Sequence, residues 1–330
     1  MSRRERLEKV LAGAVPDRIP VAMWRPWPGD DQRAADLARC VVDFQRYYDW
    51  DFINILPAMN YMVIDYGVQD QWDGAANGAR PCIRGPIKRS LDWTELRALE
   101  PMRGEMGKVL MCLNLVKEAL NGEAIPIIVT VQSPLIQAAR LAGHATFIRH
   151  LRQRPDRLLT GLSVLTESTL RYLDALQQAG IDGIYYMMEY ADLDKLSERE
   201  YAAFGLPQDR EILEARSQHW WLNIVYLHGQ TPIFDYINSM RPAAVNWHDR
   251  SAEIDLTEGR TLFEGAACGG LDTEMHMRQG TPSIVRDMAR DAITQMNGRR
   301  LILTSGGPVL ATTPLSNLRA AREVVEKVSA

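Results

Sequence analysis

Short apolar runs alternate with helix-patterned segments along almost the whole chain, and this alternation constrains the fold more than any other feature. Runs of a few apolar or β-branched residues between turn signals read as buried strands, whereas apolar residues recurring every three or four positions read as helix. Strands are expected at 20–24, 51–56, 125–131, 183–188, 222–227, 243–247, 262–267 and 301–304. Helices are expected at 31–49, 108–121, 134–143, 145–153, 155–179 and 314–327, and a capping box of Ser2 with Glu5 opens a further one that stops near Gly13. Pro155 at the first turn and Gly180 just past the end bracket the longest helix.

Residues 60–91 break the pattern with Gly67, Gly74, Gly78 and Gly85 between short β-like pieces. This reads as an excursion carrying a hairpin after the second strand. The expected fold is therefore α/β: a (β/α)8 TIM barrel with an N-terminal helix, spanning 1–330 as one domain. A doubly wound open sheet gives the same local pattern. No glycine-rich phosphate loop follows the first strand, however, and that disfavours a nucleotide-binding sheet.

At 330 residues the chain suits one barrel, and 46% hydrophobic with 24% charged residues excludes disorder. The net charge of -4 arises from 38 basic and 42 acidic residues without a basic stripe, so nucleic acid is not an expected partner. The N-terminus is charged, and no run approaches the roughly 18 apolar residues of a membrane span, so a cytoplasmic enzyme with no membrane partner is expected. Cys40, Cys82, Cys112 and Cys268 are widely spaced and read as reduced thiols. The expected partner is a small-molecule substrate, and a homodimer is compatible with this composition.

In such a barrel the chemistry sits just past the strand ends. His228, at the end of an apolar run and before Gly229, is a candidate for proton transfer, the alternative being a structural histidine. Glu189 ends the fourth run and needs a cation, a metal or a substrate proton as partner. His248, Asp249 and Arg250 offer a general acid, an acceptor and a carboxylate-binding fork, of which only alternate residues can face inward. Thus His228, Glu189, Asp249 and His248 are the catalytic candidates. Arg25, Trp24, Asn60, Gln132, Tyr186, Gln230 and Arg250 are the substrate-binding candidates. No metal is expected; were one held, His228, Glu189 and Cys268 would be its ligands.

The order of motifs resembles the uroporphyrinogen-decarboxylase superfamily, which includes methylcobalamin:coenzyme M methyltransferases. The resemblance covers nearly the whole chain and rests on Pro16-Asp17-Arg18-Ile19-Pro20, Ala179-Gly180-Ile181-Asp182-Gly183, Leu227-His228-Gly229 and Asn246-Trp247-His248-Asp249. Gly269-Gly270-Leu271-Asp272, Gly280-Thr281-Pro282 and Thr312-Thr313-Pro314 complete it. It implies the barrel, and an activity of either decarboxylation or methyl transfer. Of the decarboxylases' arginine-rich loop after strand one, Arg25 remains; their aspartate after strand two is missing from 57–60, and their late histidine from Ser305-Gly306-Gly307. Uroporphyrinogen itself is therefore not the expected substrate. The methyltransferases hold zinc through His-x-Cys after strand five and a late cysteine; here His228 precedes Gly229 and Gln230, and Gly307 stands near the second cysteine's place. The expectation is a decarboxylase-type lyase without a cofactor. Methyl transfer, with zinc or a corrinoid and its carrier protein, is one alternative, and a non-catalytic small-molecule-binding barrel is another.

Overall fold

The structure is a computed structural model that describes residues 1–215 and 219–328. Its strands are β1 (Ile53–Ile55), β2 (Gln69–Asp70), β3 (Cys82–Arg84), β4 (Ile127–Gln132), β5 (Gly183–Met188), β6 (Ile224–Leu227), β7 (Ala244–Trp247), β8 (Ala266–Leu271) and β9 (Leu301–Ser305). The principal helices among them are α1 (Arg3–Leu11), α2 (Ala34–Tyr48), α3 (Gly104–Leu120), α4 (Pro134–Ala142), α5 (His144–Gln153), α6 (Pro155–Gln178), α7 (Glu198–Phe204), α8 (Leu206–Ala215), α9 (Ile237–Met240), α10 (Leu256–Leu262), α11 (Pro282–Gln295) and α12 (Leu315–Val324). No described helix is long and apolar enough to cross a membrane.

Seven strands form one sheet in the order β1-β4-β5-β6-β7-β8-β9, every neighbouring pair parallel. Each of β4 to β9 is buried along its whole length, as continuous apolar runs require when helices cover the outside. Residues 20–24 contribute one parallel bridge, Val21 to Leu303, rather than a full strand. They nevertheless touch both margins of the sheet. Leu303 N donates to Pro20 O at 2.8 Å and Ala22 N to Leu303 O at 3.2 Å, while Asp51 N donates to Val21 O at 2.9 Å just ahead of β1. The sheet is thus curled. The irregular excursion between β1 and β4 contains an antiparallel pair, β2 with β3.

Local signals explain most boundaries. Ser2 Oγ accepts from Glu5 N at 3.2 Å and Ser2 N donates to Glu5 Oε2 at 2.8 Å, closing the capping box of α1. Helix α3 begins earlier than its apolar spacing predicts, because the remote Asp65 carboxylate accepts from Glu105 N at 2.7 Å and satisfies its N-terminus. The strand expected at 262–267 lies instead at β8, and Leu262 ends α10. Gly269 and Gly270 therefore sit inside a strand rather than in a turn. A Cβ on Gly269 would stand 2.5 Å from Asp249 Oδ1, and Gly270, at φ 105°, approaches Ala292 of α11 so closely that a Cβ would stand 2.7 Å from the alanine's own. We expect Gly270→Ala to destabilise the chain by about 1–3 kcal/mol through overpacking and positive-φ strain. Urea unfolding with an unchanged midpoint would show that the close approach is not required.

Candidate active site

Alternation along the strands decides which side chains enter the curled sheet. Tyr185 and Met187 of β5 face inward; Tyr185 stacks on Tyr226 of β6 with ring centroids 5.3 Å apart and donates to Asn246 Oδ1 at 2.6 Å. Asn246 Nδ2 donates in turn to the carbonyls of Cys268 (2.6 Å) and Ser305 (3.0 Å), tying β7 to β8 and β9. Above this floor opens a cavity of about 570 Å³ at the C-terminal ends of the strands, a volume suited to a small molecule. Glu189, His228, Gln132, Gln230 and His248 all line it.

Two imidazoles and a phenol form its inner wall. Tyr226 Oη and His248 Nε2 are 3.0 Å apart, and the His228 and His248 ring centroids are separated by 5.4 Å. Burial, then the neighbouring His228, pushes the His248 imidazole down to about 4, so it is neutral at pH 7. Burial also lowers His228, with Glu189 opposing, and burial raises the Tyr226 phenol. Among the described residues His228 Nδ1, though buried, has no hydrogen-bond partner. Gly306 and Gly307 make room for the group: a Cβ on Gly307 would stand 2.5 Å from Tyr226 Oη.

The second wall is ionic. Lys195 Nζ donates to Glu189 Oε1 at 2.7 Å, while Arg140, on α4, reaches Glu189 Oε2 at only 3.6 Å. Burial alone would raise the Glu189 carboxyl; Lys195 and then Arg140 outweigh it and hold the group below the usual carboxylate range. Lys195 thus satisfies the glutamate, and Arg140 keeps its hydrogen-bonding fork available to the cavity.

The other sequence candidates lie elsewhere. Tyr186 faces outward from β5 and donates to Asp209 Oδ1 of α8 at 2.7 Å. Asp249, one residue past the inward His248, turns under β8 and accepts from Gly270 N at 3.1 Å; burial raises its carboxyl to about 7. Arg250 donates to Gly270 O at 3.0 Å and pairs with Asp291 at 2.8 Å. Asn60 holds the excursion in place through Asp70 (2.7 Å) and Arg80 O (2.8 Å). Trp24 is buried against Tyr185, and Arg25 donates to Ala311 O at 2.6 Å. Neither lines the cavity. Cys268 is fully buried outside the cavity wall, so it does not join His228 and Glu189. Among the described residues no group of three or more His, Cys, Asp or Glu side chains is placed to hold a metal ion. The donors of a thiolate-bound zinc do not fit this site.

Tyr226 and Arg140 are absent from the sequence candidates. Tyr226 was recoverable, since it lies two residues before His228 and so shares its face. Arg140 stands out as the one charged residue of α4, Pro134–Ala142.

Asp209 offers a separate test of this geometry. It is buried and accepts from Tyr186 and Tyr201, and burial raises it to about 7 despite both phenols. The native chain then keeps a proton that the unfolded chain releases near 3.8, so stability falls as pH rises from 3.8 to about 7 and levels off above. Asp249 adds a contribution of the same sign. His248, depressed to about 4, contributes with the opposite sign, so the variants are compared: from about pH 5 to about pH 8 the urea midpoint should fall less, or rise more, in Asp209→Asn than in the parent; an identical change would contradict the assignment.

A model of the family described as Uroporphyrinogen decarboxylase (URO-D) matches residues 2–328. The methylcobamide:CoM methyltransferase MtbA of Methanosarcina acetivorans is 22% identical over 245 residues, covering 72% of this chain and 68% of the relative. A uroporphyrinogen decarboxylase of Prochlorococcus marinus is 24% identical over 291 residues, covering 84% and 77%. Among solved structures, a methyltransferase from Methanosarcina mazei superposes over 100% of both chains with a TM-score of 0.87 at 18% identity. A B12-independent methionine synthase from Shewanella covers 95% of both with a TM-score of 0.59 at 13% identity. These likenesses place the curled parallel sheet among TIM-barrel-like folds, and with the match along the whole chain they show that it belongs to the uroporphyrinogen decarboxylase (URO-D) family.

Proposed function

We propose that this chain is a decarboxylase-type lyase acting on a carboxylated small molecule other than uroporphyrinogen, in a (β/α)8 barrel whose eighth stave is residues 20–24. The observation that carries the reading is the division of one cavity into a cationic fork, Arg140, and a neutral proton-transfer group, Tyr226 with His248 at 3.0 Å and His228 beside them. Arg140 binds the substrate carboxylate. The C–C bond to that carboxylate breaks, CO₂ leaves, and the electron pair left on carbon takes a proton from Tyr226 Oη, which His248 Nε2 holds in place. His228 bonds the reacting part of the substrate through its unpartnered nitrogen, and Glu189, paired with Lys195, holds Arg140 toward the cavity. Four cysteines without disulfide partners accord with a cytoplasmic enzyme.

Losing a charge-assisted fork on a carboxylate corresponds to roughly 10- to 100-fold in affinity. Arg140→Gln should therefore raise KM for the carboxylated substrate by about that factor with a smaller change in kcat. Equal losses in kcat and kcat/KM would move Arg140 from binding to the transition state, and no effect on either would remove it from the site.

A second reading, methyl transfer, is favoured by the same depressed imidazoles. Neutral His248 or His228 can accept the proton of a thiol or hydroxyl methyl acceptor, and relatives of this chain include methyltransferases.

A further inference from the structure

A second, much smaller cavity lies apart from the proposed active site, walled by residues 23–25, Trp27, α2 and β1. It offers about 20 Å³ to the centre of a water-sized sphere, room for one small occupant. Five buried polar atoms without a hydrogen-bond partner among the described residues belong to residues that line it: Trp24 Nε1, Arg25 Nε, Trp50 Nε1, Asn54 Nδ2 and Gln45 Oε1. Trp24, Gln45, Trp50 and Asn54 are each at least nine-tenths buried, at 3%, 3%, 1% and 5% exposure. Their remaining polar atoms are committed where such atoms exist: Asn54 Oδ1 accepts from Thr130 at 3.0 Å, and Gln45 Nε2 donates to Trp50 O at 2.9 Å. The Trp50 carbonyl can only accept, which fixes the way the Gln45 amide faces.

The imbalance is four donors to one acceptor. It is accompanied by an uncompensated charge, for Arg25 stacks on Trp27 with Cζ 4.7 Å from the ring and donates to Ala311 O, yet forms no salt bridge among the described residues. Burial lowers the guanidinium from its ordinary value, the direction expected of a desolvated cation. A single water accepts two hydrogen bonds and would leave two of the four donors unmatched. A monoatomic anion accepts from all four and neutralises Arg25, leaving only Gln45 Oε1 without a partner.

We propose that this cavity binds one small inorganic anion of halide size, held by Arg25, Trp24, Trp50 and Asn54. The anion joins residues 20–25 to α2 and β1, at the place where the curled sheet brings its two margins together.

Bromide is the probe, because it scatters anomalously and quenches indole fluorescence. Crystals of the full chain grown with bromide as the only halide should show an anomalous peak within hydrogen-bonding reach of Trp24 Nε1 and Trp50 Nε1. In solution at constant ionic strength, bromide should quench tryptophan emission in a saturable phase. Arg25→Met should weaken that phase by about 10-fold or more, the scale of losing one charge-assisted contact; Trp50→Phe, which removes a donor but no charge, should weaken it less. Density for a water without anomalous signal would overturn the proposal even if neither variant folds. So would quenching that is linear in bromide and identical in a folded Arg25→Met.

Discussion

Turnover should fall roughly 100-fold or more when His228 is replaced by alanine, the usual scale for removing a group that handles the reacting proton. The unfolding free energy should stay within about 1 kcal/mol of the parent. The stability expectation follows from the environment: His228 is only partly buried, and among the described residues its Nδ1 bonds to nothing. Its removal strands no protein donor or acceptor, so the usual penalty for an orphaned buried group does not arise. Kinetics and urea unfolding must be measured on the same preparation. A folded variant with near-parental turnover removes His228 from the mechanism and leaves Tyr226 with His248 as the proton-transfer pair. A variant that loses several kcal/mol shows instead that the histidine is structural.

The largest stability effect should come from the opposite end of the sheet. Asp51 is fully buried and accepts from Arg6 Nη1 at 2.8 Å, from Arg18 Nη1 at 2.7 Å and Nη2 at 3.1 Å, and from Val21 N at 2.7 Å. One carboxylate thus anchors α1, the approach to residues 20–24 and the start of β1. Asp51→Ala leaves Arg6 and Arg18 facing each other with little water to solvate them, and breaking a buried pair in this way costs about 3–5 kcal/mol. Arg6 retains Asp17 at 2.8 Å, which places the expectation toward the lower end of that range. Adding Arg18→Met to Asp51→Ala should recover part of the loss, because the second charge no longer needs a partner. A loss below about 1 kcal/mol in the single variant would mean that water compensates the arginines.

Elements set by local chemistry were legible from sequence. The Ser2 capping box, the Pro155 start of α6 and the run of β5 appear where their residue patterns place them. What sequence could not show was set by tertiary contact. Helix α3 starts at Gly104 because Asp65 reaches its N-terminus, and Gly269-Gly270 is strand because it pairs with Leu303 and Thr304 of β9. The same division holds at the site. His228, His248, Glu189, Gln132 and Gln230 follow from strand ends and do converge on one cavity. Period-two alternation explains why their neighbours do not: Tyr186 and Asp249 each stand one position from an inward residue, so Tyr186 faces α8 and Asp249 turns onto the backbone of β8. Arg140 was missed because it stands on helix α4, away from the strand ends from which the candidates were drawn. Arg25, a substrate-binding candidate by sequence, is drawn instead onto Trp27 and Ala311 O.

A carbon balance separates decarboxylation from methyl transfer most directly. The full chain is incubated with a panel of small carboxylic acids labelled at the carboxyl carbon, and separately with methylcobalamin and a thiol acceptor, without added metal and then with zinc. A decarboxylase should release labelled CO₂ from at least one acid, lost in parallel in His228→Ala and Tyr226→Phe and independent of zinc, with no thiol methylation. Methyl transfer to the thiol, without release of labelled CO₂ from any acid, would contradict the decarboxylase reading.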